Sequence, residues 1–347
     1  MNRLLQSPLM MAYQGKKSTK VPCWFMRQAG RYLPEYRAIR EKHSMLDVIR
    51  TPKLATEVTL QPIRRFNFDG SIIFADILTP LIGMGIELDF VEGEGPKIFN
   101  LIENSKDISK LKTPSAQENI PYTLEAVSLV AAELTPQGIP LLGFSGAPFT
   151  LSSYLIEGRP AENMSKLLDF AKNNPDSWHE LQEKLAYVIS ENLIAQIKAG
   201  ASVIQLFDTW VGVLSKLDFQ KLVEPYLKKI VAIIKEKTDA PLIYFGKNSK
   251  HLLPIISTLG FDVLSIDWQI SLDEANKLSG NIFPLQGNLD PNLLFGSPEI
   301  LKEKTLAILE EGKSLKAHIF NLGHGILPKT PIENVILVRE LVKSYEQ

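Results

Sequence analysis

Four arginines, Arg27, Arg31, Arg37 and Arg40, fall within fourteen consecutive positions, and Glu35 is the only acid among them. Arginine forks hold carboxylates through paired hydrogen bonds and stay charged at any physiological pH. A solvated charged helix face would intersperse Lys and Glu at four-residue spacing, whereas here Gly30 and Pro34 disrupt any long helix. The pattern therefore points to an anion-binding loop ahead of the blander reading, a surface basic patch. The chain as a whole offers no positive field, because 38 Lys and Arg are set against 39 Asp and Glu for a formal net charge of −1. That balance argues against nucleic acid or a membrane surface as partner. An anionic substrate must be met by this local cluster.

Other residues stand where chemistry is possible. Asp76 closes an apolar run, where an aspartate often caps a helix. Tyr154 fits a core position with a satisfied hydroxyl as readily as a site. His324 lies between Gly323 and Gly325, and flanking glycines suggest close backbone approach. Lys247 at a strand end is either pocket-lining or solvated. Cys23 is the only cysteine, and with five scattered histidines it makes no metal-ligand spacing and no disulfide. The expectation is no metal, no cofactor and a reducing cytoplasm. Gly83-Met84-Gly85 and Gly93-Glu94-Gly95 begin like dinucleotide fingerprints but have Leu88 and Ile98 at the third glycine. Gly312-Lys313-Ser314 resembles the end of a phosphate loop whose first glycine is replaced by Ala307.

These residues need a scaffold, and the hydrophobic pattern describes one. Buried-strand runs are expected at Ser71–Phe74, Leu141–Phe144, Ser202–Phe207, Pro241–Phe245, Val263–Ile266, Phe283–Leu285 and His318–Leu322. Amphipathic helices are expected at Trp178–Ala199, Phe219–Lys237, Ser271–Leu278, Pro298–Glu311 and Pro331–Tyr345. Such alternation implies a parallel sheet. Nearly every run ends in a polar or glycine cluster, including Asp76, Asp208-Thr209, Gly246-Lys247-Asn248, Asp267-Trp268 and Gly323-His324-Gly325. Many functional strand ends favour a barrel over an open sheet with one switch point. The expected fold is a single α/β domain over residues 1–347, a (β/α)8 TIM-type barrel with its site at the C-terminal strand ends. Val21–Met26 is one possibility for the eighth strand. Residues 103–121 read as a polar loop and 158–176 as a surface excursion. Ser7 and Pro8 break the N-terminal apolar run, so it does not read as a signal peptide, and no stretch is long enough to span a bilayer.

Met26-Arg27-Gln28-Ala29-Gly30-Arg31, followed by Tyr32-Leu33-Pro34-Glu35-Tyr36, resembles the first signature of the uroporphyrinogen decarboxylases. Gly143-Phe144-Ser145-Gly146-Ala147-Pro148-Phe149-Thr150-Leu151, with Tyr154 and Glu157-Gly158, resembles the second. Ile73–Leu78, Leu285–Pro291 and Asn321–Gly325 are similar to further family blocks in the same order, so the resemblance spans nearly the whole chain. It implies cofactor-free removal of acetate carboxyls from a tetrapyrrole, uroporphyrinogen, that bears four acetates and four propionates, in a cytoplasmic homodimer. It implies that Arg27, Arg31 and Arg40 bind side-chain carboxylates and that Gln28 helps orient one. It places Asp76 on the pyrrole N–H groups, and Tyr154, Thr209 and His324 around the pocket. Thr209 stands where many relatives carry serine, which keeps the hydroxyl. The catalytic candidates are Asp76, Arg27, Tyr154 and His324; the proton donor stays open.

Two rivals remain. A corrinoid-dependent methyltransferase of the same superfamily would need a zinc site from a His-x-Cys pair and a distant Cys. The matching strand here reads Ile243-Tyr244-Phe245-Gly246, and the later position is His324. A non-catalytic tetrapyrrole carrier would need the arginines but not Asp76, whose charge repels an anionic ligand.

Overall fold

The computed structural model describes residues 3–91, 95–158 and 163–346. Gly93 and Glu94, and residues 159–162 of the expected excursion, lie outside them. β1 (Ser71–Ile72) precedes an antiparallel hairpin of β2 (Leu88–Val91) and β3 (Gly95–Ile98). β4 (Leu141–Gly146), β5 (Val203–Asp208), β6 (Leu242–Gly246), β7 (Val263–Ser265), β8 (Leu285–Leu289) and β9 (His318–Leu322) follow. β1 and β4 to β9 form one parallel seven-stranded sheet in chain order. Its register pairs Gly146 with Phe207 and Asp208 with Gly246, so consecutive strands end level with one another.

The open edges of this sheet meet a common segment. Cys23 forms an isolated parallel bridge with Phe320 of β9, where the Phe320 N–H donates to the Pro22 carbonyl at 2.9 Å. On the far side, the Asp69 N–H donates to the Cys23 carbonyl at 2.9 Å, just ahead of β1. Residues 22–24 therefore lie between the last strand and the approach to the first.

The inner face of the sheet is graded from bottom to top. A short helix, Pro8–Tyr13, is capped by the Ser7 hydroxyl and packs Leu9 and Tyr13 with Trp24, Leu142, Val203 and Ile319. These strand residues lie toward the N-terminal ends, so the broken apolar run at the start of the chain stoppers the bottom of the sheet. A polar ladder runs through this layer. Gln286 Oε1 accepts from the Tyr13 hydroxyl (3.0 Å) and the Trp24 indole N–H (3.1 Å), while its Nε2 donates to Gln205 Oε1 and Ser265 Oγ. Above it stand Phe144, Phe207 and Phe245 in edge-on succession, with centroids 5.6 and 5.9 Å apart.

Several expectations require correction. Residues 103–121 contain two short helices, Ser105–Lys110 and Ala116–Asn119, started by Asn104 and by a Ser115–Glu118 capping box. Their polarity comes from cap residues and exposed faces, which in so short a helix look like a loop. Phe219–Lys237 is two helices, Lys216–Leu222 and Glu224–Lys237. Pro225 lacks the N–H a continuous helix needs and fits the first turn of a new one. β8 begins at Leu285 rather than Phe283 and carries Gly287 and Asn288 inside the strand. No helix among the described residues is long and apolar enough to cross a membrane.

Replacing Gln286 with Leu keeps the volume but leaves the Tyr13 hydroxyl, Gln205 Oε1 and Ser265 Oγ without their shared partner, while the Trp24 indole N–H keeps the Tyr13 oxygen at 2.8 Å. Buried groups orphaned in this way cost about 1–3 kcal/mol each. Urea denaturation of Gln286→Leu should show stability lowered by at least about 2 kcal/mol with an unchanged m-value; an unaltered midpoint would show the ladder to be dispensable.

Candidate functional site

The arginine loop is built against its own backbone preference. Arg27 has φ +59°, a left-handed conformation in which a side chain crowds the following carbonyl. Its neighbours hold it there. The Met26 N–H donates to Asn321 Oδ1 at 3.0 Å, and the Met26 carbonyl accepts from Ile326 N–H at 2.9 Å. Gln28 is fully buried; its Oε1 accepts from Phe25 N–H at 3.1 Å, and its Nε2 donates to the Gly70 carbonyl at 3.2 Å. The Tyr32 hydroxyl closes the turn on the Gln28 carbonyl at 2.7 Å. Both ends of the Gln28 amide therefore anchor the loop.

The Arg27 stem lies along Gly325. A Cβ at 325 would sit 2.4 Å from Arg27 Cδ, which explains the glycine after His324. From there the guanidinium acts on three candidate residues. Asp76 follows β1; its Oδ1 accepts from Leu78 N–H at 2.9 Å, closing a local turn of the kind expected of a helix-start aspartate. Among the described residues nothing donates to its second oxygen. Burial raises the Asp76 carboxyl, opposed by the Leu78 N–H and by the Arg27 charge. Tyr154 lies on the helix Pro148–Glu157 with its ring edge-on to Trp210, centroids 6.4 Å apart. Burial pushes its hydroxyl up; the Trp210 indole lowers it, Asp76 raises it and Arg27 lowers it. His324 stands edge-on to Phe245 at 6.0 Å. Burial, then the Arg27 and Lys247 charges, push its imidazole down to about 4, so it is neutral at neutral pH. Arg27, Asp76, Tyr154 and His324 thus form one electrostatic group beside the Phe144–Phe207–Phe245 series.

The remaining candidates have other neighbours. Arg31 and Arg40 lie near Tyr36, whose hydroxyl is raised by burial and lowered by both charges. Arg40 Nε is buried without a partner. Glu35 is taken by Arg65 in a two-pronged pair at 2.7 and 3.0 Å; among the described residues it forms no ion pair with the motif's arginines, though the Arg37 charge also helps lower its carboxyl. Thr209, just past β5, is half-buried, and no hydrogen bond among the described residues reaches it. Cys23 is buried, and its thiol is pushed well up, which keeps it protonated and inert.

Asp208, at the end of β5, was legible only as a polar strand end. It is fully buried and accepts from Thr150 Oγ1 at 2.7 Å and the Tyr244 hydroxyl at 2.8 Å. Thr150 in turn accepts from Trp210 N–H at 3.3 Å, so the carboxyl anchors the backbone that carries the ring against Tyr154. Its partners are 58 and 36 residues away in the chain, and no local spacing announces them.

Residues 4–345 match the model of the uroporphyrinogen decarboxylase (URO-D) family. The chain is similar to a uroporphyrinogen decarboxylase of Chloroflexus aggregans, 46% identical over 94% of this chain and 92% of that protein. It is also 43% identical to one of Carboxydothermus hydrogenoformans over 99% of both chains. Among solved structures, a methyltransferase from Methanosarcina mazei superposes with a TM-score of 0.80 over 98% of both chains. At 20% identity this is a likeness of fold.

Burial pushes the Asp208 carboxyl up to about 6 against its two hydroxyl donors. Because the folded value exceeds an unfolded one near 3.9, folding takes up a proton between them, and the native state gains stability as pH falls through that window. The gain is about 3 kcal/mol, complete near pH 4 and lost above pH 6. Asp208→Asn should remove it, so the stability difference between wild type and variant should shift by roughly that amount between pH 4 and 7. A difference independent of pH would mean that the carboxyl is not held as described.

Proposed function

Because the chain belongs to the uroporphyrinogen decarboxylase family, we propose that it converts the four acetate arms of uroporphyrinogen to methyl groups, giving coproporphyrinogen and carbon dioxide. The observation that carries the residue assignment is the convergence of Asp76, Tyr154 and His324 on the Arg27 charge beside an aromatic floor. On this reading the floor receives the pyrrole rings, Arg27 takes a carboxylate, and Arg31 and Arg40 guide further arms from the rim. Asp76 directs its open oxygen at the pyrrole N–H groups. Thr209 borders the pocket beside Trp210.

The chemistry follows from charge. Losing carbon dioxide from an acetate leaves an electron pair on the arm's carbon. Protonating the adjacent ring carbon first makes the pyrrole a cation that accepts that pair. A second proton then enters at the arm's carbon while the ring proton leaves, so each round exchanges one carbon dioxide for one proton. Asp76 stabilises the ring cation. Tyr154 and His324, both neutral, serve as hydrogen-bond groups rather than cationic acids.

The same reading places residues 22–24 in the eighth stave of a (β/α)8 barrel, supported by the bonds of that segment to both sheet edges. It describes one domain, a cytoplasmic homodimer, working with side chains alone. The methyltransferase alternative is not favoured, since the curated relatives at 42–46% identity are named decarboxylases. The direct test is anaerobic incubation of metal-free protein with uroporphyrinogen and chromatography of the oxidised products. Recovery of unchanged substrate would sink the assignment.

Asp76 gives the sharpest expectation. Two like charges about 4 Å apart at an effective dielectric near 20 cost roughly 4 kcal/mol, so a carboxylate facing an anionic ligand must be compensated by N–H donors. Its attraction grows when the ring becomes cationic, so its effect falls mainly in the transition state. Asp76→Asn should leave substrate affinity nearly unchanged or improved while kcat falls about a hundred- to a thousandfold; Asp76→Glu should keep partial activity. Binding measured beside single-turnover decarboxylation decides the matter, and normal turnover of the Asn variant would reduce Asp76 to its turn-forming role.

A further inference from the structure

Resting on the decarboxylase reading, we propose that Lys247 holds a propionate carboxylate of the tetrapyrrole beside His324. Lys247 follows β6 directly, level with the strand ends that carry the site. It is half-buried, and its Nζ stands 5.8 Å from the centroid of the Trp268 ring. The ring keeps the ammonium group in place without neutralising it. Among the described residues no carboxylate pairs with Lys247. The nearest candidate along the neighbouring strand, Asp267, is buried and already accepts from the Asn248 N–H and, at 3.0 Å, from the Gln269 N–H.

Trp268 is in turn fixed against the His324 segment. A Cβ on Gly323 would lie 2.4 Å from the Trp268 backbone nitrogen, so the turn after β7 presses on the chain entering His324. The Lys247 charge reaches that imidazole, as the Arg27 charge does. Two cations therefore act on one neutral ring beside the aromatic floor; among the described residues neither is in an ion pair, and only Arg27 has a carboxyl, that of Asp76, within reach of its charge. A second ligand carboxylate has its place at Lys247. An arm pinned by a salt bridge is stabilised as the anion, which opposes its decarboxylation. The arm at Lys247 is therefore one that is not removed, and propionates are the arms that persist through every round.

The test uses the full-length enzyme, with uroporphyrinogen as substrate and coproporphyrinogen, which retains the propionates, as competitive inhibitor, both under anaerobic conditions. Losing a charge-assisted pair predicts that Lys247→Gln raises the KM for substrate and the inhibition constant of coproporphyrinogen together, each by about tenfold or more. kcat should fall less than KM rises. Lys247→Arg preserves the charge and the stacking on Trp268, so it should recover most of the affinity and show that the Gln effect is not misfolding. An active wild type with a Gln variant of unchanged KM, or with a coproporphyrinogen constant that does not move, overturns this assignment alone. A wild-type protein that releases no carbon dioxide overturns the decarboxylase reading beneath it.

Discussion

The site depends on a single cation placed by a backbone that resists the placement. Arg27 occupies a left-handed turn that costs a residue with a Cβ about 1–2 kcal/mol. The turn persists because bonds from Asn321, Ile326, Gln28 and Tyr32 fix the residues on either side. None of those bonds involves the guanidinium, which stays available. Its stem rests on Gly325, so the loop from the start of the chain and the loop after β9 are shaped to one another. A side chain so positioned does not have to be ordered by a ligand, which removes an entropic cost from binding and leaves the charge aligned beforehand.

Burial sets the protonation of everything around that cation. Asp76, Tyr154 and His324 are each shifted toward their uncharged forms, and Arg27 opposes the shift for the two acids while reinforcing it for the imidazole. His324 is therefore held neutral twice over, by desolvation and by neighbouring positive charge. Burial and the Arg27 and Lys247 charges hold the His324 imidazole neutral at neutral pH, and burial pushes the Tyr154 hydroxyl up. What the neutral pair offers is directed hydrogen bonding in a pocket where an added cation would compete with Arg27.

Much of this was legible before the structure. Seven strands were found from apolar runs because parallel strands buried on both faces are continuous hydrophobic segments, and six of the seven begin within a residue of the expected position. The exception, β8, was placed early because Gly287 and Asn288 look like a turn although they lie within the ladder. The arginine motif was visible as a density of one residue type. At Gln28 the sequence shows only a polar residue between two arginines, and tertiary contact alone shows its amide bonded to the Phe25 and Gly70 backbone. Asp208 and Lys247 were visible only as polar strand ends, for a different reason. What defines them is, for one, a pair of hydroxyls and, for the other, an indole ring, brought from a helix, a neighbouring strand and the turn after β7, and no periodicity encodes such a meeting.

On the proposed reading, the enzyme must perform the same reaction on a ligand that changes at every round, from eight carboxylates to four. A pocket tuned to the full charge would bind each successive intermediate less well, while one tuned to the product would release it slowly. The arrangement separates the two demands. Asp76 addresses ring N–H groups, which every intermediate shares, so the electrostatic partner of the reacting ring is the same in all four rounds. The aromatic floor of Phe144, Phe207 and Phe245 likewise meets a surface that does not change. The arginines at the rim meet the arms, whose number falls, and their long side chains adapt at small cost because no protein carboxylate holds them. Constant groups thus govern the chemistry, and adjustable groups govern the affinity.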